Sequence, residues 1–140
     1  MNLRIYSKYK YIQDFAIKAA YYLKLQDIDA EIDISVKKSL TDEAQGYCIG
    51  DREEVEILLA RNSCGQHFDK KYILSILAHE MVHAKQFLKG ELKDTIYDRS
   101  KGYYVFWKGK KMLWDDNTDL NPWEQDAYNL EKEVFSNCYK

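Results

Sequence analysis

The sequence predicts an α+β fold in one domain spanning residues 1–140, and three observations carry that expectation. Apolar residues recur at intervals of three and four over residues 11–25, the spacing of a helix with one buried stripe. From Ala30 to Val36 small or apolar residues alternate with polar ones, the pattern of a strand with one wet face. A second, more strongly apolar helical run covers residues 72–88. With 140 residues and 46% hydrophobic content, the chain has room for a single core.

Taken in order, residues 2–7 are a short stretch rich in β-formers, after which the pattern changes. Ile12, Phe15, Ala16, Ala19, Ala20 and Leu23 then mark the stripe of the first helix, which Gln26-Asp27-Ile28-Asp29 interrupts. The strand over residues 30–36 follows. Residues 40–45 form a polar turn into Gly46-Tyr47-Cys48-Ile49-Gly50, a short strand bounded by glycines, and residues 55–60 make another. Residues 61–69 are expected to be loop, with Asp69 capping a helix that starts near Lys70 and ends at Gly90, where a left-handed residue is needed. Tyr103-Tyr104-Val105-Phe106-Trp107 and Lys111-Met112-Leu113-Trp114 flank a glycine-containing turn and read as a β-hairpin. The only proline, Pro122, follows Asn121 and opens a last helix with Trp123, Ala127, Leu130 and Val134 on its apolar face.

A net charge of -2 gives no general attraction to nucleic acid or to an anionic membrane, and the lysines beside the hairpin aromatics read as a solvated tip. No nucleic-acid or membrane partner is expected. The N-terminus lacks the apolar stretch of an export signal, and no run is long enough to span a bilayer. Three cysteines, Cys48, Cys64 and Cys138, are an odd number without close pairing, which fits reduced thiols. A soluble, cytoplasmic protein is the expectation.

The long helix carries His79-Glu80-Met81-Val82-His83. Residues four apart lie one above the other on a helix, so both imidazoles face one point with Glu80 beside them. Two neutral imidazole nitrogens can bind Zn²⁺, and the adjacent carboxylate can take a proton from water that the metal activates. With three histidines in the chain, shuffling its residues would produce this pattern in about three of a thousand cases. The alternative is a pair of ordinary histidines. Ile73, Leu74, Ile76, Leu77 and Leu88 surround the motif with apolar residues, and burying unsatisfied polar groups there would be costly. A catalytic zinc needs a third protein ligand. Neither Cys64 nor Cys138 lies in a ligand motif, so a carboxylate is expected: Glu124 in the first turn of the last helix, with Asp126 as its competitor.

His79-Glu80-Met81-Val82-His83 followed by Glu124-Gln125-Asp126-Ala127 resembles the gluzincin branch of metallopeptidases, whose pattern is H-E-x-x-H and then a glutamate within E-x-x-A. Trp107-Lys108-Gly109 and Pro122-Trp123-Glu124 are similar to small stand-alone bacterial and phage proteins with a minimal gluzincin core. The likeness covers residues 55–135. It implies a zincin-like fold, with a twisted, mainly antiparallel sheet packed on the motif helix and on the ligand helix, and zinc between them. It also implies that an edge strand, residues 46–50 or 55–60, pairs with an extended peptide or protein substrate. Several gluzincins place an aspartate four residues after the glutamate ligand to orient the first histidine. Tyr128 stands there in this chain, so Tyr128, Asp126 or a backbone carbonyl is expected to serve instead.

These observations lead to the expectation of a zinc metallopeptidase in which His79, His83 and Glu124 hold the metal and Glu80 is the general base. Tyr103, Tyr104 and His67 are candidate donors to the oxyanion, His67 being otherwise a solvated loop residue. A SprT-like protease of DNA-associated proteins usually completes its site with histidine, and no histidine follows His83. A non-catalytic zinc-binding interaction module would need the three ligands but not Glu80.

Overall fold

A computed structural model describes residues 1–100 and 102–139. Strand β1 (Asn2–Tyr6) leads through helix α1 (Lys10–Tyr22) to strand β2 (Glu31–Lys37), and the two strands pair in parallel from Asn2 opposite Glu31 to Tyr6 opposite Ser35. Parallel neighbours need a crossover connection, which α1 supplies while burying Ile12, Phe15, Ala16, Ala19 and Ala20. The helix stops at Tyr22 although apolar spacing continues to Leu25. Lys24 takes φ 60°, its N–H donates to the Tyr21 carbonyl at 3.0 Å, and the Leu25 N–H donates to the Ala20 carbonyl at 2.9 Å. That is a Schellman cap built on lysine instead of glycine, with Leu25 folded back into the core.

Strand β3 (Gly46–Gly50) forms a hairpin with β4 (Glu54–Ala60), and β4 pairs in parallel with β2. The sheet order is β1-β2-β4-β3, leaving β3 at an edge. Two of the three pairings are parallel, which corrects the expected mainly antiparallel sheet. The chain leaves β2 through a 3-10 turn at Thr41–Glu43 and runs down the far edge as β3, so β4 enters between them in the direction of β2. Ile32, Ile34, Val55, Ile57 and Leu59 form the buried face of this sheet.

The segment expected to be loop contains a miniature hairpin of β5 (Asn62–Ser63) and β6 (Gln66–His67). Its turn residues Cys64 and Gly65 have φ 50° and 77°, the positive pair that a tight two-residue hairpin requires. Helix α2 (Lys70–Leu88) starts where expected: the Tyr72 N–H donates to the Asp69 side chain at 2.8 Å. It ends at Gly90, whose φ of 72° lets Gly90 and Glu91 donate to the carbonyls of Phe87 and Gln86. The helix packs on β3 and β4.

A second, antiparallel sheet comprises β7 (Leu92–Asp98), β8 (Gly102–Trp107) and β9 (Lys110–Leu113). The β8–β9 hairpin is the predicted one. Strand β7 escapes the sequence pattern because its register shifts between Lys93 and Ile96, and such an irregularity breaks the period-two alternation. Helix α3 (Pro122–Cys138) packs on α2 and α1, which corrects the expectation that the sheet lies against both the motif and the ligand helix. The layers are sheet, then α1 and α2, then α3. Among the described residues no helix is long and apolar enough to cross a membrane.

Candidate metal centre

The core closes around α2 so completely that even polar members of the helix are buried: Glu80 is 5%, His83 7% and Gln86 0% exposed. Each must therefore be satisfied inside the protein. Gln86 Nε2 donates to the Trp123 carbonyl at 2.9 Å and to Asp126 Oδ2 at 2.8 Å, both on α3. Those bonds turn Gln86 Oε1 towards His83 Nδ1, 2.8 Å away. An amide oxygen only accepts, so Nδ1 of His83 carries a proton and Nε2 is the nitrogen that offers a lone pair once it gives up its own proton. His79 is set the same way, with Nδ1 3.4 Å from Glu131 Oε1.

Both Nε2 atoms then point at one place, 3.2 Å apart. Glu124 joins them, with Oε1 2.8 Å from His83 Nε2 and Oε2 3.4 Å from His79 Nε2. His79, His83 and Glu124 thus offer three ligand atoms within 4.8 Å of one another and could hold a metal ion. The spacing suits one: donors about 2.0–2.1 Å from a tetrahedral ion lie about 3.3 Å from each other. The charges suit one too, because three electron-pair donors converge here and only a cation or added protons can offset their repulsion.

In the chain by itself, protons do so. Burial works against charge on His79, but hydrogen bonds to Glu124 and Glu131 outweigh it and raise its pKa from 6.5 to about 10. Burial likewise works against charge on Glu124, and the bonds to His79 and His83 overcome it, lowering its pKa from 4.5 to about 2. His83 is raised as well, its burial being outweighed by the Glu124 hydrogen bond. Glu80 makes the opposite response: burial holds its carboxyl above the usual range although both histidines pull it down.

Glu80 lies next to the three donors under strand β3. A Cβ on Gly46 would come within 2.8 Å of Ile76 Cγ2 and 3.4 Å of Glu80 Oε2, so a glycine lets the edge strand come this close to the carboxylate. Along β3 the flanking bonds fix which backbone groups stay open. The Ala60 N–H donates to the Gln45 carbonyl and the Asp51 N–H to the Glu54 carbonyl, so residues 45, 47, 49 and 51 face β4. The N–H and C=O groups of Gly46, Cys48 and Gly50 face the free edge. That edge borders a cavity of about 690 Å³ whose floor includes His79, Glu80, His83 and Glu124. Of the two strands considered for substrate pairing, β3 has this free edge, and β4 is interior.

Asp126 is no ligand; it anchors Gln86. Tyr103, Tyr104 and His67, the expected oxyanion donors, do not line the cavity. Tyr103 and Tyr104 belong to the second sheet, with Lys111 Nζ 4.4 Å from the Tyr104 ring centroid. His67 is exposed on β6, its Nδ1 3.0 Å from Asn62 Oδ1. Tyr128 does line the cavity, its ring centroid 4.8 Å from that of His79. It is not the orienting residue; Glu131 takes that place for His79. Burial and the bond from its hydroxyl to Asp119 Oδ1 raise the Tyr128 pKa to about 12. Sequence reasoning missed Glu131 and Gln86. The available signal was helical spacing: Glu131 stands two turns beyond Glu124 on α3, and Gln86 one turn beyond His83 on α2.

No family model, no curated protein and no solved structure matches the chain.

Proposed function

We propose that the chain is a zinc-dependent metallopeptidase with a zincin-like fold of the gluzincin type. One observation carries this reading: the lone pairs of His79 Nε2 and His83 Nε2 and the Glu124 carboxylate converge beside a separate buried carboxylate, Glu80. A structural ion alone would not need Glu80. Bound between the three donors, zinc supplies Lewis acidity towards a carbonyl and towards water. Glu80 accepts the proton of the attacking water and delivers it to the leaving amine. Burial raises its proton affinity, which suits a group that takes up a proton and gives it back. Tyr128 keeps its hydroxyl proton at neutral pH but donates it to Asp119, so its ring lines the cavity beside His79 without a free proton for an oxyanion. The substrate is a polypeptide in extended form, adding to the free edge of β3 by its backbone.

The test is wild type against Glu80→Gln, each loaded with one equivalent of zinc and incubated with a mixed peptide substrate. The expected result is cleavage by the wild type and none by the variant, with metal content unchanged. Cleavage by neither, with zinc held by both, would instead make the chain a non-catalytic zinc-binding module.

A further inference from the structure

Strands β1, β2 and β4 are parallel to one another, and α1 and α2 both start beyond the end of the sheet where these strands finish. Basic side chains collect there: Lys8 follows β1, Lys37 and Lys38 close β2, Arg61 follows β4, and Lys70 and Lys71 open α2. Contacts join them into one surface. The Tyr9 ring has Arg61 Cζ 4.4 Å and Lys8 Nζ 5.5 Å from its centroid, and Tyr11, 5.5 Å from Tyr9, has Lys70 Nζ 5.4 Å from its own. The Arg61 N–H donates to the Lys37 carbonyl at 2.9 Å and the Asn62 N–H to the Lys38 carbonyl at 3.0 Å, which holds the ends of β2 and β4 side by side.

This charge is not neutralised from within. The five lysines are exposed, and among the described residues none of the six cations pairs with a carboxylate. Arg61 Nη2 lies 3.4 Å from His67 Nε2, and Arg61 Nη1 is buried with no hydrogen-bond partner among the described residues. Three acids share these connections: Asp42 is exposed, while Glu43 and Asp69 accept bonds from the backbone N–H groups of Cys64 and Tyr72. The other end of the same strands is acidic, with Glu31 opposite Glu54 at the starts of β2 and β4 and with Asp51 and Glu53 bonded beside them through the backbone. The net charge of -2 averages the two ends; it argues against a general attraction to nucleic acid and hides a local one.

We infer that this end of the sheet is a docking surface for single-stranded nucleic acid, separate from the metal centre. Cations carried on neighbouring strand ends, about 4.8 Å apart per strand, form a row that a phosphate backbone can follow. Tyrosine rings stand among them, with Tyr9 and Tyr11 half-buried and Tyr6 59% exposed at the end of β1, and rings beside cations are what unpaired bases stack on. An acidic peptide would use the charges and leave the rings idle. A bilayer would call for exposed leucine, phenylalanine or tryptophan among the lysines, and this surface offers tyrosine. Lys70 stands nine residues before His79, about 14 Å along the helix axis, and none of the six cations lines the metal-centre cavity. The surface therefore requires neither zinc nor the peptidase reading.

The experiment is fluorescence anisotropy of a labelled oligothymidine strand with the metal-free full chain. Binding is expected to weaken about 20–50-fold between about 50 and 200 mM salt, the response to about three or four neutralised phosphates. Lys38→Glu and Lys70→Glu change exposed side chains on two different elements, and each should weaken binding about tenfold. Lys89→Glu, at the far end of α2, should leave it unchanged. That set of results supports the surface. No binding, full binding by both patch variants, or an equal loss in Lys89→Glu overturns it. Polyglutamate and phosphatidylserine vesicles serve as competitors at equal charge concentration: displacement of the strand by the first reassigns the surface to an acidic polypeptide, displacement by the second to a membrane, and either result overturns the nucleic-acid assignment.

Discussion

Helix α2 presents His79 and His83 from a turn wrapped in core, with Ala78, Met81, Val82 and Ala84 all at 0% exposure. Helix α3 presents Glu124 from a helix that buries only Trp123, Ala127, Val134 and Cys138 along one side. Packing fixes the helix that carries the imidazoles; polar bonds from Gln86 add to what fixes the helix that carries the carboxylate. Gln86 reaches from the first helix to the Trp123 carbonyl and to Asp126 on the second, and by the same bonds orients His83. The first turn of α3, which carries Glu124, is therefore tied to α2 by the group that also orients His83. Damage to the polar link should weaken metal binding out of proportion to its effect on the core.

The largest effect is expected from Gln86→Leu, which keeps the volume but removes every bond. Zinc affinity should fall by about 10–100-fold, and the metal-free chain should lose about 1–3 kcal/mol for the polar partners left buried. Zinc titration and thermal unfolding measure the two. An unchanged zinc affinity would mean that the apolar stripe alone places α3. Glu131→Gln should have a smaller effect, about tenfold on affinity, because an amide oxygen can still accept from His79 Nδ1 but carries no charge. Its unfolding temperature without metal should fall modestly near neutral pH, because the Glu131 carboxylate is part of what keeps His79 protonated in the fold.

A third test separates protons from metal. His79 stands at about 10 in the fold against an ordinary 6.5, so the stability from its protonation is whole below pH 6.5 and is lost as pH rises towards 10. Glu124 stands at about 2 against 4.5, so its contribution is whole above pH 4.5 and lost as pH falls towards 2. Both shifts report one contact and are not summed. The metal-free chain should be most stable between pH 4.5 and 6.5, the range between those two ordinary values. Zinc must displace the His79 proton, so its stabilising effect should grow above pH 6.5 while that of the contact declines. Melting curves with and without zinc that shift in parallel with pH would contradict this.

The contrast between the helices also decided what could be read from sequence. The motif on α2 was legible because both imidazoles and the base lie within five residues, where helical geometry is enough to bring them together. Asp69 and Gly90 bounded that helix because each has one conformational job. Glu124 was legible as an acid in the first turn of a helix opened by Pro122, but its meeting with the histidines is a tertiary fact. Glu131 and Gln86 act by pairing across helices, which no local pattern encodes. The parallel pairing of β4 with β2 was hidden for a related reason: an alternating strand does not say which neighbour it will take. Strand β7 was hidden by its bulge, and the end of α1 by a lysine at a position where glycine is the usual signal.

Zinc titration of the metal-free wild type and of Glu124→Ala, followed by calorimetry, tests the convergence of donors from the two helices most directly. The account predicts one tight equivalent in the wild type and a loss of affinity of at least about a hundredfold in the variant, by removal of one of three protein ligands. Equal binding by both chains, or no binding by the wild type, would contradict it.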